Sequence, residues 1–176
     1  MSMAVVYTDL DGTLLDHYTY AFNEALETIK SLKARGVPVV PCTSKTRAET
    51  VKLMQDLEIV GPMIVENGAA IWVPDDWGLT KPEGADEDVD ARAWSHCFGP
   101  ARGMIRRQLA ILNIEWGNRY QSLCEISDKQ VMALTGLDAA SAARAKDRHY
   151  CETLVWLGTP ADRPVFAEEV EALDLR

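Results

Sequence analysis

Three short apolar runs, separated by two stretches of helical periodicity, occupy the first 65 residues, and this alternation confines the fold to one class. Ala4 to Thr8 is apolar and β-branched and reads as a buried strand that stops at Asp9. Between Ala21 and Ala34, Phe22, Ala25, Leu26, Ile29 and Leu32 recur at helical spacing, and Gly36 stands where a C-cap glycine would end the helix. Val37 to Cys42 is a second strand. Thr46 to Leu57 is a second helix, carried by Val51, Leu53, Met54 and Leu57, and Met63 to Val65 is a third strand. Strands that alternate with helices imply an α/β fold with a parallel sheet and helical crossovers. The polar residues of interest stand where each strand stops: Asp9 and Asp11, Thr43 and Ser44, Asn67 and Gly68. Ligands of open α/β sheets bind at the carboxyl ends of the strands. The topology therefore brings three sequence-distant clusters to one place.

The first cluster, Asp9-Leu10-Asp11-Gly12-Thr13-Leu14-Leu15-Asp16, carries the most chemistry. Two carboxylates two positions apart on a turn can divide the work of phosphoryl transfer. One attacks phosphorus and forms an aspartyl-phosphate. The other protonates the leaving alkoxide and then deprotonates the attacking water. Both are hard oxygen donors and can share Mg²⁺. Thr43 can donate to a phosphate oxygen, with the backbone N–H groups of the following helix start beside it. Thr43-Ser44 reads equally as an ordinary helix N-cap.

The octet resembles motif I of the haloacid dehalogenase (HAD) superfamily of phosphohydrolases. That resemblance implies Asp9 as nucleophile, Asp11 as general acid/base, Mg²⁺ as cofactor held by both, and Thr43 as the motif II hydroxyl. The 32 positions from Asp11 to Thr43 hold one helix and one strand, which leaves no room for a cap between the two motifs. A cap inserted later is similar to the type IIB branch. Within that branch, Thr43-Ser44-Lys45-Thr46-Arg47-Ala48-Glu49 resembles the SSKTRAE signature of the mannosyl-3-phosphoglycerate phosphatase family, and Glu66-Asn67-Gly68-Ala69-Ala70-Ile71 resembles its ENGAAI segment. Leu134-Thr135-Gly136-Leu137, with Ala142, Ala143, Lys146 and Arg148, resembles LTGL…A..AK.RE, and Glu152 and Trp156 match the SEP..W continuation. His149 and Cys151 depart from it, standing where the family has Glu and Ser.

The resemblance implies a HAD-like Rossmannoid parallel sheet core, here partial, with an inserted α+β C2-type cap: residues 1–81 as the N-terminal half of the core and 82–176 as the cap. It implies a phosphorylated sugar as the small-molecule partner, bound by Thr43, Ser44, Lys45, Asn67, Gly68 and Arg148, and mannosylglycerate as product. The family's motif III Lys and motif IV GDxxND have no counterpart after Trp156, so the chain is expected to end inside the cap. A sheet lacking its second half exposes an edge, and a homodimer through that edge is the expectation.

Eighteen Lys and Arg against twenty-seven Asp and Glu give a net charge of −9, which argues against nucleic acid or an anionic membrane as partner. No apolar run approaches a membrane span. Cys42, Cys97, Cys124 and Cys151 show no CxxC and no ligand-like spacing with a histidine, so reduced thiols in a cytoplasmic protein are expected. Pro74 to Asp90 reads as a linker or loop. From Ala91 a basic amphipathic helix is expected, through Ile105, Leu109 and Leu112. Two helices start near Asp128 and Asp138 as N-caps, Thr153 to Leu157 is a strand, and Val165 to Leu173 is a last helix. Arg102, Arg106 and Arg107 read as a solvated helix face, Arg148 and Glu152 as a solvated i,i+4 pair unless the motif assigns them a site role, and the five Trp as packing residues.

Overall fold

The computed structural model describes residues 4–175. The chain forms two compact units, one ending at Gly99 and the other beginning at Pro100. The sequence placed the division after residue 81. It falls later because residues 82–99 are bound to the first unit by strand pairing.

In the first unit, β1 (Val6–Thr8) pairs in parallel with β2 (Val39–Pro41), Val6 opposite Val39 and Thr8 opposite Pro41. Helix α1 (Asn23–Ala34) is the crossover between them and buries Ile29. Strand β2 leads into α2 (Arg47–Asp56), which buries Thr50 and Met54. It meets β3 (Met63–Val65) through one parallel bridge, Cys42 to Ile64. The expected β-α-β-α-β run is therefore present. Its strands are short, and burial rather than length secures them: Met63 and Val65 are essentially fully buried, each side chain contributing roughly 1.5–3 kcal/mol.

From β3 the sheet turns antiparallel. The order is β3, β4 (Ala70–Pro74), β6 (Ala93–Cys97), β5 (Asp86–Asp88). The segment expected to be a linker thus contains a short 3₁₀ turn at Asp75–Trp77 and strand β5, and a further strand follows it. The sequence Ala-Trp-Ser-His-Cys of β6 carries no clean two-residue alternation. It is a strand because β4 pairs with it at five positions, from Ala70–Cys97 to Pro74–Ala93. Strand β5, with its Asp-Glu-Asp sequence, is held by β6 and by the ion pair of Asp88 with Arg47 at 2.6 Å.

The second unit is α+β. Strands β7 (Tyr120–Ser122) and β8 (Leu154–Trp156) pair antiparallel, with α4 (Asp128–Thr135) and α5 (Ala139–Lys146) between them in sequence. Helix α3 (Arg102–Glu115) precedes this pair and α6 (Asp162–Ala172) follows it. One core cluster gathers Leu109, Leu112, Tyr120 and Phe166, and another gathers Leu123, Ile126, Val131 and Ala142. Asp138 caps α5 as expected, accepting from Ser141 N at 2.7 Å. The cap of α4 is Ser127 rather than Asp128, in a reciprocal box with Gln130. Among the described residues no helix is long and apolar enough to cross a membrane.

Candidate functional site

The turn after β1 is built around one buried residue. Leu10 is fully buried, and its carbonyl accepts from both Thr13 N (3.2 Å) and Leu15 N (2.8 Å). This folds Asp11 to Leu15 back on themselves and leaves Asp9 exposed and Asp11 half-buried on either side of Leu10. Gly12 has φ +75°, a left-handed backbone that favours glycine, while a Cβ there would only come into ordinary contact with the His17 ring at 3.4 Å.

The ends of β2 and β3 are joined by backbone. Thr43 N donates to Ile64 O (3.0 Å), Asn67 N to Thr43 O (3.0 Å) and Glu66 N to Lys45 O (2.9 Å). Thr43 is buried, and its hydroxyl accepts from Lys45 N at 3.1 Å. Glu66 and Asn67 adopt left-handed backbone, φ +52° and +62°, and Gly68 follows at +85°. Lys45 closes the remaining gap, its Nζ lying 2.8 Å from Asp11 Oδ1. The three strand ends are therefore joined by direct contacts through Asp11, Thr43, Lys45 and Asn67. Ser44 is exposed within the same loop. Asp9 stands two residues before Asp11. Arg148 belongs to the second unit, where its Nη1 donates to Cys151 Sγ at 3.0 Å.

Thr46, not Thr43 or Ser44, is the N-cap of α2. It accepts from Glu49 N (3.2 Å) while Glu49 Oε2 accepts from Thr46 N (2.9 Å). Thr43 is thereby relieved of capping. Asp16, the last residue of the octet, organises the next loop: its Oδ1 accepts from Tyr18 N (3.1 Å), Thr19 N (2.7 Å) and Thr19 Oγ1 (2.7 Å). The Thr19 hydroxyl bond, then these backbone bonds, hold its carboxyl below the usual aspartate range.

Asp9 and Asp11 form a hard, oxygen-only donor pair, suited to a cation that takes one or two carboxylates together with water and phosphate. Among the described residues no group of three or more His, Cys, Asp and Glu side chains is arranged to hold a metal ion. Two features of this region carried no sequence signal. Glu66 is buried, and the Tyr20 ring lies 5.3 Å from the Lys45 ammonium.

In the second unit Glu152 is not a partner in a solvated helical pair. Residues 147–153 lie outside the helices, and the carboxylate is buried. Arg102 reaches it with Nη2 at 2.9 Å and Nε at 3.1 Å, Arg106 lies at 3.7 Å, and the Ser122 hydroxyl donates to its other oxygen. Arg102 and Arg106 are accordingly not a freely solvated face.

Residues 6–90 match the family model of haloacid dehalogenase-like hydrolases. A glucosyl-3-phosphoglycerate/mannosyl-3-phosphoglycerate phosphatase of Methanococcoides burtonii is 36% identical over 148 residues, which cover 84% of this chain and 54% of the relative. A protein of the same name from Persephonella marina is 47% identical over 70 residues, 40% of this chain and 26% of that relative. The chain thus spans about half the length of the first of these relatives and about a quarter of the second. A crystal structure from Thermoplasma acidophilum superposes with a TM-score of 0.62 at 18% identity, covering 98% of this chain and 58% of the other; at that identity the likeness speaks for the fold alone.

Proposed function

We propose that this chain, whose residues 6–90 match the haloacid dehalogenase-like hydrolases, carries the nucleophile and the acid/base of a phosphomonoester hydrolase acting on a phosphorylated sugar, mannosyl- or glucosyl-3-phosphoglycerate. The observation that carries this reading is the contact of Lys45 with Asp11 at 2.8 Å, which joins the β1 turn to the loop after β2.

An Asp9 carboxylate oxygen attacks phosphorus, and the bond from phosphorus to the glycerate oxygen breaks. Asp11 gives its proton to that leaving oxygen. Asp11 then takes a proton from water as the water attacks the aspartyl-phosphate, which releases inorganic phosphate and restores Asp9. The Thr43 hydroxyl, the Lys45 ammonium and the loop N–H groups hold the phosphate oxygens, with Ser44, Asn67 and Gly68 lining the same strand ends. Asp9 and Asp11 would hold Mg²⁺, which when bound offsets the repulsion between carboxylate and phosphate. Four cysteines without a disulfide agree with a cytoplasmic site of action.

The test is phosphate release from both glycosyl-3-phosphoglycerates, with and without Mg²⁺, by this chain and by Asp9→Asn. Turnover that needs Mg²⁺ and falls at least about 10³-fold in the variant is expected. A second reading, a phosphosugar-binding module without turnover, is favoured by the two-carboxylate donor set. Binding without phosphate release in a folded sample would select it.

We also propose that two copies pair along β1. Among the described residues β2 is its one strand partner. Val6 N and Thr8 O bond toward β2, so the Tyr7 backbone faces away, and Tyr7 is 66% exposed. Light scattering should find a dimer that Tyr7→Lys converts to monomer. A monodisperse monomer of the unaltered chain refutes the pairing.

A further inference from the structure

The loop between Asp16 and Ala21 sets one aromatic ring beside the strand-end cluster. It is closed by Asp16 N to Ala21 O (2.8 Å) and Tyr20 N to Asp16 O (3.0 Å), and the Asp16 carboxylate fastens Tyr18 and Thr19 from within. Tyr20 sits at φ +56°, a region a bulky side chain enters only when its surroundings enforce it. The enforced conformation yields no burial, since Tyr20 remains 54% exposed. What it yields is position: the ring lies 5.3 Å from the Lys45 ammonium, itself 2.8 Å from Asp11 Oδ1. Tyr18, on the same loop and more exposed, meets the His17 ring edge-on, with ring centroids 4.9 Å apart.

We infer that Tyr20 is a specificity-determining residue of this site, a rigid aromatic platform on which the sugar ring of the substrate stacks while Lys45 and Asp11 attend to its phosphate. A pyranose presents a face of C–H groups that packs against an aromatic face. A ring fixed before binding loses little freedom on contact. The cation at the ring ties platform and phosphate pocket into one unit. This inference rests on the phosphosugar reading above.

The test is calorimetric binding in the non-turnover Asp9→Asn background, with mannosyl-3-phosphoglycerate and inorganic phosphate as the two probes. Tyr20→Ala should weaken the sugar ester about tenfold and inorganic phosphate less than about twofold. Tyr20→Phe should keep both affinities, because it keeps the ring. Asp16→Ala, which keeps the ring and loosens the loop that positions it, should also weaken the sugar ester selectively, by less than Tyr20→Ala. Equal losses for both probes in Tyr20→Ala would make Tyr20 a support for Lys45 and overturn the inference, as would no loss for either. A parent that binds neither probe overturns inference and function together. An unaltered chain, with Asp9 intact, that releases no phosphate, combined with the selective loss in Tyr20→Ala, sinks the hydrolase reading and leaves the platform standing.

Discussion

Replacing Arg102 by Met should destabilise the second unit more than any other single removal of a surface-reaching charge. Glu152 has a side chain only 3% exposed, and Arg102 supplies its close cationic contacts, 2.9 Å from Nη2 and 3.1 Å from Nε. The same guanidinium donates to Cys151 O (3.1 Å) and to Cys124 Sγ (3.0 Å), so its loss removes those two bonds as well. Breaking one side of a buried ion pair costs about 3–5 kcal/mol, because the remaining charge stays out of water. Arg106 lies 3.7 Å away on a side chain 44% exposed, a weak substitute that puts the expectation at the low end, about 3 kcal/mol. For a unit of this size that corresponds to a fall in Tm of about 12 °C or more. Adding Glu152→Gln to Arg102→Met removes the stranded charge and should recover roughly half of the loss. Thermal unfolding reads the total, and amide exchange at Leu123 N and Leu157 N, which bond across β7 and β8, assigns it to this unit. A shift below about 3 °C in Arg102→Met, or a double variant less stable than the single one, would refute the reasoning.

Thr46→Ala should cost about 1 kcal/mol through loss of the α2 cap and should raise the Glu49 amide's exchange rate; an unchanged rate would mean the box is not formed in solution. The cap of α5 should be pH-sensitive. The Ser141 backbone N–H, against a small opposing burial effect, holds the Asp138 carboxyl below its ordinary 3.8. A depressed value means stability fully present above that ordinary value and lost as pH falls through the lower folded one. Amide exchange in α5 should therefore accelerate in that acid window in the unaltered chain, and the acceleration should be absent in Asp138→Asn.

What could be read from the sequence divides along the range of the interactions involved. The strands Val6–Thr8, Val39–Pro41 and Met63–Val65 and the two helices between them follow from local apolar period, so the α/β class and the convergence of the strand ends were legible. Strand β6 was not, because the pairing of Ala93–Cys97 with β4 makes it a strand, not its own sequence. Strand β7 was missed for the same reason, its three residues being fixed by β8. The choice among Thr43, Ser44 and Thr46 as the α2 cap depends on which hydroxyl meets Glu49 N, a difference of one turn that composition does not encode. Pairing Glu152 with Arg148 assumed a helix where the chain is irregular, and the observed partner, Arg102, comes from 50 positions away. Tyr20 gave no signal because a lone tyrosine in a polar stretch acquires meaning only from its backbone angle and from Lys45.

Two ion pairs of similar length in this chain carry opposite implications. Arg102–Glu152 at 2.9 Å is sealed from water on the carboxylate side and braced by a hydroxyl, so its removal is felt as lost stability. Lys45–Asp11 at 2.8 Å has side chains 19% and 36% exposed, so the pair is less sealed than Arg102–Glu152 even though the contacted Asp11 Oδ1 is itself shielded. A pair so placed contributes at most about 1 kcal/mol to folding. Yet the backbone around it is unusually constrained: left-handed Glu66 and Asn67, a left-handed Tyr20, and Gly12 at φ +75°. Strain of that kind persists where the surroundings hold a ligand-facing geometry. On the proposed phosphatase reading the Lys45 ammonium would exchange Asp11 for a phosphate oxygen at little cost to the fold, while Arg102 cannot leave Glu152 without stranding it.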